Sequence, residues 1–378
     1  MSDPARPEPA ARPTIGLTLL TAAMALPAIG PVHAETAPER GTIALKTLDY
    51  VDSQPANQRI RVGALALRIA APISGDWLVG GTAVTDSISG ASPAYHTTAL
   101  TRMRDRRNAG TGEVTRYFEH GTLTVGASQS RESDYLSRGF SVLATRSGED
   151  KNTTWSAGIG VLRDLITPTN HVIDRDHKKV DDLLLGVTQV LTPRDIVQLN
   201  AGLSFGHGYF SDPYKAVDNR PRYRNHATLT ARWNHHFDAI DGTLRLSYRH
   251  YADTWAIRSH TLGAEFVQTL PGGWSVTPIA RAYTQTAARF YIEAGPAGPF
   301  GPAPPAGAVF FSADQRLSAF GGRTYGLKVA KQIGPDWQAD VKVERYEQRA
   351  AWTWYGPGSR GLAPFYARTV QVGLAMQF

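Results

Sequence analysis

This sequence predicts an all-β architecture, a membrane-spanning antiparallel β-barrel of about sixteen strands. The barrel has short turns at one end and long loops at the other. Three observations lead to it: a strictly alternating C-terminal segment, an N-terminal export signal, and strand-like segments joined in turn by short and long links. A helical membrane protein is not expected, because no segment approaches the roughly 20 consecutive apolar residues that a spanning helix requires.

The C-terminal segment alternates up to its last position. Every second residue from Val370 to Phe378 is large and apolar, and the residues between them are polar or small. A period of two is that of a β-strand with one apolar face. Such a strand ending in Phe resembles the closing strand of bacterial outer-membrane barrels. We therefore predict that Phe378 belongs to the signal that the barrel-assembly machinery recognises.

An export signal is predicted at the N-terminus. Two arginines precede an apolar run over 15–29, and the small-residue pattern Val-His-Ala follows at 32–34. This order of basic, apolar and small residues is that of a secretory signal peptide. We expect residues 1–34 to be removed, which leaves one barrel domain over 35–378 in the outer membrane of a Gram-negative bacterium.

The composition excludes several classes of site and partner. The chain has no cysteine, which suits an exported protein and rules out thiolate metal sites and cysteine nucleophiles. Its formal net charge is +7, but the charges are spread along the segments, so nucleic-acid binding is not expected. Segment 171–179 combines histidines and aspartates without a recognised metal-ligand spacing and among three cations. We predict neither a metal nor a cofactor.

Strand-like segments follow one another from residue 43 to the C-terminus. Gly, Pro, Asp and Asn dominate the short links, as hairpin geometry requires. The even number places both termini on the short-turn side, which is the periplasmic side in such barrels. Fourteen strands remain possible, because the first three segments alternate poorly. The predicted strands are 43–50, 58–71, 77–86, 113–119, 122–131, 139–148, 153–164, 178–191, 195–206, 222–237, 242–252, 255–269, 273–286, 315–332, 336–349 and 367–378. The predicted long, extracellular loops are 87–112, 131–138, 165–177, 207–221, 287–314 and 351–365.

A soluble β-sandwich is the competing interpretation of the same alternation. Sandwich cores place large aromatic residues in mid-strand, whereas here the aromatic residues lie within a few positions of a short turn. That is where the aromatic girdle of a membrane barrel belongs, so their placement favours the barrel. The residues are Trp77, Phe118, Trp155, Trp233, Phe237, Trp274, Trp337 and Phe378.

Seven segments resemble a bacterial outer-membrane family known as domain of unknown function 3570. They include V-T-R-Y-F-E-H-G-T-L-T-V-G at 114–126, G-V-T-Q-V-L-T-P-R-D-I-V-Q-L-N at 186–200 and S-A-D-Q-R-L-S-A-F-G at 312–321. The others lie at 89–97, 208–215, 232–237 and 260–265. The resemblance implies an outer-membrane barrel and no assigned activity.

Charged residues on the faces opposite the apolar ones are candidates for the lining of the barrel. Either they line a water-filled pore and set its selectivity, or they pair across strands and fill a narrow lumen. The candidates are Arg232, Arg245, Arg249, Glu265, Lys328, Asp340, Lys342 and Glu344.

A second candidate group is the arginine-rich run in predicted loop 87–112. Arginine makes bidentate contacts with carboxylate and phosphate. The run could fold into the pore and favour anions, face outward and bind lipopolysaccharide phosphates, or remain solvated. Its arginines are Arg102, Arg104, Arg106 and Arg107.

The function that these features favour is a pore for ions or small solutes of unknown identity, in contact with outer-membrane lipid and lipopolysaccharide. A plugged structural barrel that supports a periplasmic partner is the first alternative. A membrane-embedded lipid hydrolase is the second, and we do not expect an enzyme, since no G-x-S-x-G motif is present.

Overall fold

The computed structural model describes residues 36–55, 57–93, 100–215, 217–293 and 303–378. The predicted signal peptide lies outside these ranges. No helix within them has the length and the apolar character needed to cross a membrane.

Sixteen long strands form one closed antiparallel barrel in the described part of the chain, which confirms the predicted fold and strand number. They are β1 (Thr42–Gln54), β2 (Asn57–Ser74), β3 (Trp77–Pro93), β4 (Leu100–Phe118), β5 (Gly121–Arg131), β6 (Tyr135–Ser147), β7 (Thr153–Ile166), β8 (Asp176–Thr192), β9 (Asp195–Gly208), β11 (Tyr223–Phe237), β12 (Gly242–Asp253), β13 (Arg258–Leu270), β14 (Trp274–Gln285), β16 (Phe320–Ile333), β17 (Trp337–Arg349) and β18 (Phe365–Gln377).

Two short strands in the loops, β10 (Asp218–Asn219) and β15 (Phe311–Ser312), pair with each other outside the barrel sheet. Single 3₁₀ turns occur at Asp238–Ile240, Pro271–Gly273, Gln315–Leu317 and Ala350–Trp352. Each long strand pairs with the next long strand along the chain, and β1 pairs with β18 to close the sheet.

The two ends of the barrel differ. At the end that holds both termini, which we call the short-turn end, no link is longer than 148–152. At the other end, the long-loop end, the largest links are 209–222, 286–319 and 350–364. The expected strict alternation of long and short links is not complete, because three links at the long-loop end, 55–56, 132–134 and 254–257, are also short.

One predicted loop is wrong. Residues 87–112 were expected to form a loop, but β3 continues to Pro93 and β4 begins at Leu100, so most of that range lies in a long hairpin. The alternation is lost there because charged and polar residues occupy both faces of the two strands near the long-loop end.

Alternation sets the two faces of the barrel. Large apolar side chains such as Ile159, Leu185 and Leu229 are exposed on one face of their strands. Their neighbours in sequence point the other way, because successive side chains of a strand lie on opposite faces. The exposed apolar face is the outer face. The aromatic residues near the short turns, from Trp77 to Phe378, are all exposed as well.

The closing seam is completed by the last residue. The Phe378 and Gly41 backbones exchange two hydrogen bonds, of 2.9 and 3.0 Å. The Phe378 ring lies directly over Gly41, where a Cβ would be only 2.5 Å from the ring Cζ. Arg40 adds an ion pair to Asp336 at 2.6 Å and a hydrogen bond to the Gln377 carbonyl. Position 41 therefore has no room for a side chain.

Gly41→Val should destabilise the seam, since a side chain there must displace the Phe378 ring. Overpacking of this kind costs about 1–3 kcal/mol, and we expect a lower unfolding temperature in detergent, measured by the mobility of unboiled samples on gels. Gly112→Val is the matched control, because a Cβ at that strand glycine meets no atom within 4 Å. Equal loss of stability in both variants would contradict the assignment.

Candidate functional site: the lumen and its loop cap

One inner wall carries exposed arginines. Arg232 on β11 and Arg245 and Arg249 on β12 are on the face opposite the apolar outer side chains, and all three are exposed. Arg232 donates a hydrogen bond of 3.3 Å to Gln198 on the adjacent strand. A side chain that is exposed on the inside of a closed barrel must border open, water-accessible space. The wall formed by β11 and β12 therefore faces such a space.

A carboxylate accompanies these cations. Glu265 on β13 lies directly opposite Arg245 in the strand register, and its other neighbour in register is Ile279 on β14. Opposite charges in register on one face attract each other. This wall therefore combines cations with a partly compensating acid.

The remaining four predicted lining residues lie on the inner faces of β16 and β17. Lys328 stands opposite Lys342, and Lys342 forms an ion pair of 2.8 Å with Glu344 two residues along the same strand. Asp340 is buried, and its carboxylate lies over Gly373 of β18. These residues form a second charged group on the wall.

Lys46 is an inner residue that the sequence did not reveal. It is only 4% exposed and lies in register with Gly373, on the far side of β18 from Asp340. A Cβ on Gly373 would lie 2.6 Å from the Asp340 carboxylate, so the missing side chain leaves room for Asp340 to attract Lys46 across the strand. The signal in the sequence was Gly373 itself, a residue without a side chain within a strongly alternating strand.

The opposite wall carries a buried apolar cluster. In the closed strand order, β2 and β3 lie eight places from β11 and β12, which is halfway around a sixteen-stranded barrel. The cluster lies on the inner faces of β1–β3, which also carry charged residues such as Lys46, Arg68 and Asp86. Its buried members are Leu48, Ile60, Val62, Ala64, Ala66 and Ile88. The lumen therefore has exposed arginines on one side and this buried cluster on the other.

The predicted arginine loop is part of β4. Arg102 and Arg104 lie in the strand opposite Ala91 and Ser89, and their side chains lie outside the described part of the structure. Arg106 is exposed on the outer face. Arg107 points inward, where it is buried and paired with Asp86 at 2.7 Å. The four arginines therefore do not share one loop or one face, and their gating and anion-contact roles remain predictions.

Loop segments cover the mouth of the barrel at the long-loop end. We call the described residues 209–215, 217–222 and 311–318 the loop cap. At its centre, the Asp314 carboxylate is 1% exposed and accepts from Arg220 at 2.8 Å and from Arg316. Arg220 also pairs with Asp218 at 2.9 Å, and Arg316 with Asp212 at 3.0 Å. The network joins two loops that are 94 residues apart in sequence.

The loop cap reaches loops and strands around the rim. Tyr214 donates to Asp134 in the link 132–134, and Asn170 donates to the Pro213 carbonyl at 2.8 Å. On another side, the Gln315 amide lies beside the buried Arg59 guanidinium of β2, and in the amide orientation that satisfies both groups its oxygen accepts from Arg59 at 3.2 and 3.3 Å. Strand β2 and the β9–β11 pair lie on opposite sides of the barrel. The loop cap therefore extends across the mouth.

An apolar cluster anchors the loop cap to the inner wall. Trp255 is 1% exposed and packs with Ile257, Phe290 and Leu317, while its indole N–H donates to the Tyr223 carbonyl at 2.8 Å. The Arg224 guanidinium lies 4.3 Å from the centroid of the Trp255 ring system. Burial of large aromatic side chains in this way supplies much of the stability of a loop.

The charges in the loop cap determine how it responds to pH. Burial alone would raise the pKa of Asp314, but the positive charges of Arg316, Lys215 and Arg220 outweigh it and hold this pKa well below its usual range. A carboxyl group with a depressed pKa stabilises the fold above its unfolded pKa of about 4 and loses that effect only in more acidic solution. Asp314 therefore keeps the loop cap intact at neutral pH.

A second cluster of titratable groups lies beside the loop cap. The carboxylates of Asp105, Glu132 and Asp134 lie within 4.8 Å of one another, a spacing at which three ligand oxygens could hold a divalent cation. Burial, followed by the charges of Asp134 and Asp105, raises the pKa of Glu132 to about 7, although Arg107 opposes this and Asp86 adds to it. A proton on Glu132 relieves the repulsion among the three groups.

Link 132–134 should loosen as the pH rises through 7. The pKa of Glu132 in the folded protein lies above its ordinary value of 4.5, so its contribution to stability is complete below pH 4.5 and is lost by pH 7 and above. We expect hydrogen exchange at residues 132–135, corrected for the intrinsic pH dependence, to be faster at pH 8 than at pH 5.5.

Glu132→Gln should abolish that difference, whereas Glu119→Gln, at an exposed position in a short turn, should preserve it. Exchange that is independent of pH in the wild-type protein would contradict the raised pKa.

Solved structures of outer-membrane proteins resemble this barrel at low sequence identity. The siderophore receptor PirA from Pseudomonas aeruginosa aligns with a TM-score of 0.44 and 8% identity, over 82% of this chain and 56% of the receptor. A bacterial polysaccharide outer-membrane secretin gives 0.47 and 11%, over 92% of this chain and 99% of the secretin. OccK2 from P. aeruginosa, solved with glucuronate, gives 0.45 and 11%, over 90% and 98%. This chain thus spans little more than half the length of the receptor.

Among curated proteins, none matches the sequence. A family model does match, over residues 97–373, which is more than half of the chain. The match includes most of the segments that carry the resemblance found in the sequence. The chain belongs to the family described as protein of unknown function DUF3570.

Proposed function

We propose that this protein is a channel for ions or small solutes in the outer membrane of a Gram-negative bacterium. The observation that carries the proposal is the exposure of Arg232, Arg245 and Arg249 on the inner face of a closed barrel. Sixteen strands make a barrel whose interior is wider than wall side chains alone can fill. The exposed arginines favour a water-filled path through that space, along the wall that they line.

The location follows from the outer surface. Exposed apolar side chains cover the outer face, and exposed aromatic residues lie near the short turns, as they do at the lipid–water boundary of membrane barrels. We propose that residues 1–34 direct export, that the short turns face the periplasm, and that the assembly machinery recognises the strand ending in Phe378.

The charges around the arginine-lined wall favour anions. There Arg232, Arg245, Arg249, Arg281, Lys46, Lys328 and Lys342 outnumber the carboxylates Glu265, Asp340 and Glu344, whereas the inner faces of β2–β4 carry balanced pairs, Arg68 with Glu113 and Arg107 with Asp86. An excess of fixed positive charge beside a water-filled path raises the local concentration of anions. The loop cap lies across the extracellular mouth and is the element that opens or closes this path.

A plugged structural barrel is the second candidate. The buried apolar cluster of β1–β3 and the loop cap favour it, since neither needs water on the inside. The two candidates differ in one measurable property, which is whether purified protein conducts ions when the loop cap is weakened.

The hydrolase alternative has less support. His235 at the short-turn end pairs with Asp195 through its Nδ1 at 2.7 Å, and Trp233 donates to the same carboxylate at 2.9 Å. In the described residues, no serine hydroxyl is hydrogen-bonded to His235. A nucleophile would have to reach it for acyl transfer.

Asp314→Asn should open the channel more often. The substitution leaves part of the charge of the buried Arg220 guanidinium and of the partly exposed Arg316 guanidinium unpaired, and removing one partner of a buried ion pair costs about 3–5 kcal/mol. We expect a higher open probability in planar bilayers than for the wild-type protein. Asp49→Asn is the matched control, because Asp49 forms a similarly short ion pair of 2.7 Å with the exposed Arg61 of β2, outside the loop cap. No conductance from any of the three proteins would contradict the channel and favour the plugged barrel.

Replacing Arg245 and Arg249 with Glu should shift ion preference toward cations, since two charges change sign and the net charge along the open wall falls by four units. The reversal potential in a salt gradient measures the shift. Arg245→Lys with Arg249→Lys keeps the charge and should keep the reversal potential of the wild-type channel. An unchanged reversal potential in the Glu variant would show that these residues do not line the ion path.

A further inference from the structure

A row of basic side chains crosses the outer face near the long-loop end. Arg138 of β6 stands directly opposite Arg163 of β7, which stands opposite Lys179 of β8, and Lys179 in turn stands opposite His207 of β9. We call these four residues the outer basic row. Like charges in register on one face of a sheet repel each other. Such a row is stable only with compensating negative charge.

The row points away from the lumen. Along its strands, Phe140, Ile159, Leu183 and Phe205 are exposed apolar residues that share the face of the row, since each is separated from its basic residue by an even number of positions. All four members of the row are exposed as well. Their charges therefore lie on the side that contacts lipid.

Little negative charge in the protein compensates the row. Arg163 forms an ion pair with Asp181 at 2.7 Å, and both side chains are about half exposed. Within the described residues, Arg138 and Lys179 form no ion pair with a carboxylate. His207 contacts the Tyr223 ring at a centroid distance of 4.6 Å. Three permanent cations thus share one carboxylate.

The height of the row matches the edge of the membrane. Arg163 follows the exposed Trp155 of the short-turn end by eight residues along β7. At about 3.3 Å per residue and a strand tilt of about 40°, eight residues rise about 20 Å, and the apolar band of such barrels is about 25 Å tall. The backbone of the row therefore lies near the upper edge of the apolar band, from which long basic side chains reach the headgroups of the outer leaflet.

A second like-charge pair lies at the same height. Arg345 of β17 stands opposite Arg368 of β18 on the outer face, and Arg345 also follows an exposed tryptophan, Trp337, by eight residues. No ion pair to a carboxylate is formed by either arginine in the described ranges. Two unrelated parts of the barrel thus place unpaired arginines at one level.

We propose that the outer basic row binds the phosphate groups of lipopolysaccharide in the outer leaflet. Phosphate is the anion available at that depth, and arginine and lysine are the side chains that bind it best. The apolar residues directly below the row, Phe140 and Ile159 among them, offer a surface for the acyl chains. The inference rests on the proposed outer-membrane location but not on conduction.

The test uses purified full-length protein in a neutral detergent and lipid A with two phosphates as the probe, with binding followed by native mass spectrometry. We expect Arg138→Gln combined with Lys179→Gln to weaken binding at least tenfold. The matched control is Arg146→Gln combined with Arg116→Gln, which removes two exposed arginines from the outer face at the short-turn end, one of them in β6 itself. The control should bind as the wild-type protein does. Equal affinity of the row variant and the wild-type protein, or an equal loss in the control, would overturn the proposal.

Two further measurements identify the source of the anion and guard against misfolding. Lipid A that lacks one phosphate should bind the wild-type protein more weakly, and inorganic phosphate should not compete at the same concentration. Competition by free phosphate at equal concentration would assign the row to a soluble anion and overturn the lipid proposal.

Arg138→Gln alone should raise the unfolding temperature in lipid-free neutral detergent, because it removes like-charge repulsion, and it should reduce the gain in stability that lipid A confers. A lower unfolding temperature without lipid would show that the row is stabilised from within the protein, against the proposal. A barrel that binds lipid A but never conducts would refute the channel alone.

Discussion

Closure of the sheet is the constraint on which the rest of this structure depends. Strand β1 pairs with β18 from Thr42–Gln377 to Ser53–Tyr366, so neither strand has an open edge. An open edge would leave a row of unpaired backbone groups, which hydrocarbon cannot satisfy. Once the sheet is closed, each side chain has only two directions, toward the lumen or toward the surroundings. The positions of charge, apolar surface and aromatic residues all follow from that choice.

The two directions explain how a chain with a negative mean hydropathy can present an apolar exterior. Its charges lie mainly on the inner face and at the long-loop end, where water or other charges are available. On the inside they are unevenly distributed, with arginines on β11 and β12 and a cluster of aliphatic residues on β1–β3. The exposed arginines therefore concentrate positive charge on one side of the lumen, whereas the opposite side is closed over a buried aliphatic cluster.

The fold was predictable because a period of two is a local property. The alternation over Val370–Phe378 and in the later strands required no knowledge of contacts, and the boundaries found there agree within a few residues. Prediction failed for the hairpin of β3 and β4, because the polar end of a strand lacks an apolar face and resembles a loop. Lys46, the Asp314 network and the loop cap were not predictable, since each depends on residues that are distant in sequence.

Cations in different parts of this barrel differ in whether a carboxylate of the protein neutralises them. In the loop cap, the buried Arg220 and the partly exposed Arg316 each contact two carboxylates, among them the buried Asp314, as the cost of removing charge from water demands. On the inner face, Arg107 has Asp86 and Lys342 has Glu344. On the outer face near the long-loop end, Arg138, Lys179, Arg345 and Arg368 have no such partner among the described residues. The proposed binding of lipopolysaccharide phosphates accounts for that contrast, because it supplies the anion that the protein does not.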